Sequence, residues 1–164
     1  MLSLLGKTFQ QIWRRLDHER RRQATTAFYA SSETAGEQRR AAALIATKLN
    51  LRPQKAAKLP QDKAANYLAA IESPDEPLAA LLVRTYLFAR QRALLVMFLD
   101  ELKIPHQNGV IAEGNTTVPT VEMLRAALER IQAAFAPEEV QIYLSALAAS
   151  DAAVWVNLEA ALGE

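Results

Sequence analysis

The longest apolar stretch of the chain, Leu78 to Leu102, carries Arg84, Arg90 and Arg92 within it. Three cations are too many for a lipid-facing span, and the apolar residues do not keep to one stripe of a helix. A helix that is apolar all round has to be surrounded by others, so the segment predicts a buried central helix over 75–103. Leu87, Leu94, Phe98 and Leu102 are then core residues. Ser73-Pro74-Asp75-Glu76 opens this helix with an N-cap serine, a proline at the first helical position and a carboxylate three residues on.

The remainder of the chain supplies helices to pack around it. Leu2, Leu5, Phe9, Ile12, Trp13 and Leu16 recur at three- and four-residue steps and predict an amphipathic N-terminal helix over 1–30. Thr34 and Glu37 have the spacing of a capping box at the start of a second helix, and Asn50 suits its left-handed end. Pro53 and Pro60 suit the first positions of two short helices, Gln54 to Leu59 and one running to Ile71. After Pro105 the segment 104–119 reads as a long loop, and Asn108-Gly109 in it favours a type I′ turn and a short hairpin. Helices over Val121 to Phe135, Pro137 to Ala149 and Asp151 to Leu162 fill the C-terminal region, 120–162. The expected product is all-α, a single domain over 1–164 built as an irregular bundle of about seven helices.

Composition agrees with this class. The 164 residues can bury a sizeable core, and 51% hydrophobic residues with only five glycines favour helix over a β-sandwich. The sequence has no cysteine, which removes disulfides, a thiolate nucleophile and cysteine-liganded zinc, and fits a reducing cytoplasm as the expected location. The first residues lack the charged, apolar and small-residue pattern of a secretory signal.

Catalytic chemistry finds little to use. His18-Glu19 is not followed by the second histidine of a zinc-protease helix, and Arg15 and Lys103 stand where Glu-x-x-His pairs would place carboxylates. Glycine-rich dinucleotide or phosphate loops and the Gly-x-Ser-x-Gly elbow are missing. The carboxylate pairs Asp75/Glu76, Asp100/Glu101 and Glu138/Glu139 sit near predicted helix ends, where capping and solvation account for them. Neither a catalytic nor a metal nor a cofactor site is therefore expected. Two candidates remain for ligand chemistry: His106 in the long loop, and Arg84, Arg90 and Arg92 as an anion or ion-pair site on the apolar helix.

The net charge of +1 conceals an asymmetry: residues 1–74 hold 13 Lys and Arg against 6 Asp and Glu, whereas residues 75–164 hold 6 against 12. The basic half can cohere with the acidic one or face an anionic partner. Within it, Leu44 to Leu59 resembles the helix-turn-helix of bacterial regulators, with Ala46 at the helix crossing, Leu49 and Leu51 flanking the turn, and Ala56 and Leu59 facing inward. Asn50 replaces the usual glycine, and Pro60 cuts the second helix short. The resemblance implies Arg52, Gln54, Lys55 and Lys58 as outward nucleic-acid contacts over 44–59.

A third possibility lies in the N-terminal helix, whose apolar stripe with Lys7, Arg14 and Arg15 could rest on an anionic membrane; its arginine-rich start is also similar to an organelle transit peptide. Most such helices dock on a core, and docking is the expectation. Taken together, the residues favour a non-enzymatic helical interaction module acting on a protein partner or on its own twin, with DNA binding and membrane-surface association as alternatives.

Overall fold

Two segments that were each expected to form one long helix are broken in two. The computed structural model describes residues 6–163, and Leu2 and Leu5 of the N-terminal stripe lie outside them. The expected helix over 1–30 is two helices, α1 (Phe9–Arg15) and α2 (His18–Ala30). Asp17 causes the break: its backbone is extended and its carboxylate accepts from Arg20 N–H at 2.8 Å, the N-cap geometry that starts a new helix. The expected helix over 75–103 is likewise two, α6 (Glu76–Arg90) and α7 (Arg92–Glu101), parted at Gln91 without a glycine or proline. Asp75 caps α6, accepting from Leu78 N–H at 2.9 Å, so the start falls two residues after Ser73.

Ten α-helices are present among the described residues rather than about seven, and the chain is all-α. Between α2 and α6 come a 3-10 turn at Ser32–Thr34, α3 (Ala35–Leu49), α4 (Pro53–Ala57) and α5 (Gln61–Ala70). After α7 follow β1 (His106–Gln107), β2 (Val110–Ile111), α8 (Val121–Ala134), α9 (Pro137–Ser150) and α10 (Leu158–Gly163). The capping box at Thr34 does not form. The Thr34 hydroxyl instead donates to the carbonyls of Phe28 and Ser31, closing the turn behind α2. The expected helix from Asp151 to Leu162 is a run of turns leading into α10, with Asp151 accepting from Val154 N–H.

The helices gather into two compact units, Phe9–Ala89 and one that runs on from Arg90. In the first, α2 packs on α5 and α3 packs on α4 and α5, and Trp13, Phe28, Ile45 and Leu68 are fully buried. In the second, α7 and α10 pack on α8, and Phe98 meets Tyr143 edge-to-face at 5.5 Å with Trp155 at 5.9 Å. Leu87, Leu94, Phe98 and Leu102 are all buried, as the sequence leads one to expect. The helix covered on every side in the second unit is α9, where Tyr143 through Ala148 are buried without interruption.

The hairpin in 104–119 forms with Asn108 and Gly109 both at positive φ, and pairs His106 with Ile111. Gly109 is demanded twice over, since a Cβ there would stand 3.0 Å from Leu95 Cβ.

Candidate functional site

The corner between α3 and α5 collects five of the 13 basic residues of the first unit. α3 ends because Asn50 takes the left-handed conformation, with φ 54, and Leu51 N–H donates back to the Ala46 carbonyl at 2.9 Å. Arg52 precedes Pro53 and is held extended, and Pro53 occupies the first turn of α4, where its missing N–H costs nothing. Pro60 then stops α4 after five residues. Ala46 and Ala56 are buried, the small residues that let α3 and α4 approach closely.

Arg52, Gln54, Lys55 and Lys58 all point outward and, with Leu59 and Pro60, line an open depression of about 580 Å³. Lys48 and Lys63 are exposed on either side along the chain, and Asp62 is the one acid between them. Among the described residues, none of these five cations makes an ion pair. Arg20, Arg40 and Arg130 do pair, with Asp17, Asp75 and Glu101.

Leu49 departs from the helix-turn-helix pattern. It continues the buried stripe of Ala41 and Ile45 one turn further along α3, yet it is 41% exposed. A helix of five residues spans only about 7.5 Å and is too short to cover it.

The other candidates take separate partners. Arg84 lies over the Phe9 ring at 5.1 Å, Arg90 is exposed, and Arg92 donates to the Asn108 carbonyl at 2.6 Å, holding the hairpin tip to the start of α7. His106 does the same at the other end of α7: Nε2 meets Asp100 Oδ1 at 2.6 Å while Nδ1 accepts from Gly109 N–H at 3.0 Å. With both ring nitrogens engaged, the imidazole anchors the hairpin and has no lone pair free for a substrate proton. Among the described residues no group of three or more His, Asp or Glu comes together to hold a metal, and no helix is long and apolar enough to cross a membrane.

Arg21, which sequence reasoning passed over, and Glu76, which it assigned to the start of its own helix, hold α1 in place. Glu76 accepts from Phe9 N–H at 2.6 Å and from Gln10 N–H at 3.1 Å, covering orphan amides of a helix 67 residues away in sequence. Arg21 covers the other end. Its guanidinium donates to the carbonyls of Trp13 and Arg14 and lies over the Trp13 ring. Trp13 is fully buried, and its indole N–H donates to the Ile71 carbonyl at 2.8 Å. Phe9, Ile12 and Leu16 are buried with it, so this part of the stripe is docked and offers no apolar face to a membrane. The signal for Arg21 was its place on the stripe of Ala24, Thr25 and Phe28; for Glu76 there was none.

Fold and corner together define an all-α protein with a basic surface around α4 whose cations make no ion pair among the described residues. No protein-family model, no curated protein and no solved structure matches the chain.

Proposed function

We propose that the protein is a non-enzymatic interaction module that engages an acidic protein surface through the basic corner at α4. The observation that carries this is the set of five exposed, unpaired cations, three of which line the open depression with Gln54. Like charges held together without counter-charges raise the energy of the free protein, and an anionic partner relieves that repulsion while being steered to the site. The engaged state of His106 favours a non-enzymatic role. A chain without cysteine suits a reducing cytoplasm.

The test is fluorescence anisotropy of a labelled oligoglutamate peptide, titrated with the full chain at low and at moderate salt. Binding that weakens with salt, and that disappears in Lys55→Glu/Lys58→Glu, is the expected result. Failure of the wild type to bind at low salt overturns the proposal.

DNA binding is the second reading, favoured by the left-handed turn at Asn50 and the alanines at the α3–α4 crossing. The brevity of α4 weighs against it, since so short a helix offers little to a major groove. A duplex of random sequence in the same titration separates the two. Tighter binding to the duplex than to the peptide, with a steep salt dependence, selects DNA.

A further inference from the structure

The second unit carries the complement of the basic corner. Residues 9–89 contain 13 basic and 8 acidic side chains, whereas residues 90–163 contain 5 and 9. On α8 the buried residues Leu124, Ala127, Leu128 and Ile131 define the inward side, and Glu122, Ala126, Glu129 and Ala133 occupy the opposite one, with Arg125 exposed between the two glutamates and Arg130 on the flank. All four are exposed. Neither Glu122 nor Glu129 makes an ion pair among the described residues, and Glu138, exposed in the first turn of α9, makes none either.

An exposed apolar side chain stands at the margin of each surface. Leu49 stands three residues before Arg52 at 41% exposure, and Met123, at 39%, lies on the flank of α8 about a quarter turn round the helix from Glu122. An uncovered apolar residue within a charged surround is the anatomy of a small protein–protein interface.

Resting on the interaction-module reading, we infer that the acidic partner is a second copy of this chain, whose α8 face seats on the basic α4 corner. Each copy offers a basic surface from one unit and an acidic surface from the other, so α4 of one copy meets α8 of the next, reciprocally in a two-fold dimer or head to tail in a ring or chain. Charge pairs at the contact make it sensitive to salt.

Sedimentation velocity on the full chain, across a concentration series at two salt levels, tests this with a charge exchange. Lys55→Glu/Lys58→Glu makes both surfaces acidic, and Glu122→Lys/Glu129→Lys makes both basic. The wild type is expected to associate with rising concentration and to dissociate with salt. Each variant alone, its helical circular dichroism unchanged, is expected to be monomeric, and an equimolar mixture of the two is expected to associate again. A wild type that stays monomeric throughout, or variants that associate as the wild type does, overturns the inference. Peptide binding retained by a monomeric wild type leaves the interaction-module reading standing; loss of peptide binding removes that reading as well.

Discussion

α1 and α4 are both short helices of the first unit with cations beside them, and the surroundings treat them in opposite ways. α1 buries Phe9, Ile12 and Trp13, receives the Glu76 carboxylate at its start and has its final carbonyls covered by Arg21. α4 buries only Ala56, has no side-chain cap, and leaves Arg52, Lys55 and Lys58 without ion pairs. The cation of Arg21 is committed to cohesion, since its removal would take hydrogen bonds from two carbonyls at the end of α1. The cations of α4 hold nothing in place, so they can change without disturbing the fold and are available to a partner.

The largest effect that could break this contrast comes from α1. Trp13→Ala removes a fully buried side chain and its bond to Ile71, and should cost about 3 to 5 kcal/mol, read as a lowered denaturation midpoint. An unchanged midpoint would show that α1 is as dispensable as α4. Arg21→Met comes next. It keeps the apolar stem but strands the Arg14 carbonyl and leaves that of Trp13 to the Leu16 N–H alone, and a loss of about 1 to 3 kcal/mol is expected in the same measurement. Glu76→Gln keeps one acceptor for the α1 amides and loses the charge that favours a helix start, so about 1 kcal/mol is expected.

A pH series sharpens the cohesive side of the contrast in α2. Burial pushes the Tyr29 phenol from its usual value of 10 up to about 12, and its hydroxyl has no hydrogen-bond partner among the described residues. The folded state therefore holds the phenol proton more tightly than the unfolded chain does. This contribution is complete below pH 10 and is lost as the pH rises from 10 toward 12. Burial drives Tyr143 upward in the same direction. Tyr29→Phe should leave stability at neutral pH within about 1 kcal/mol and reduce the alkaline loss, measured as midpoints against pH. The smallest effect belongs to α4: Lys55→Glu/Lys58→Glu should change stability by no more than about 0.5 kcal/mol, because neither side chain has an ion-pair partner to lose among the described residues.

Much of the architecture was legible along the chain because its signals are local. Asn50, Pro53, Pro137 and the Asn108-Gly109 turn restrict their own backbone angles, and each stands where those restrictions place it. The unbroken apolar character of residues 78–102 identified the core residues Leu87, Leu94, Phe98 and Leu102 without a single-faced period, since a helix apolar all round has to be covered. The outward positions of Arg52, Gln54, Lys55 and Lys58 also followed from spacing. The breaks at Asp17 and Gln91 were not legible. Asp17 on a continuous helix would look like any polar surface residue, and Gln91 carries no helix-breaking chemistry.

By itself, then, the sequence determined the all-α class, the turns, the core faces and the separation of charge, all of which depend on neighbours a few residues apart. Tertiary structure alone decided which charges are used and which stay free. Glu76 reaches amides 67 residues away, Arg21 turns inward while Arg20 pairs on the surface, and His106 is closed off by Asp100 and Gly109. A charged side chain is satisfied or left open by whatever the fold brings within about 3 Å of it, and that distance is set by packing between segments that one-dimensional spacing does not encode.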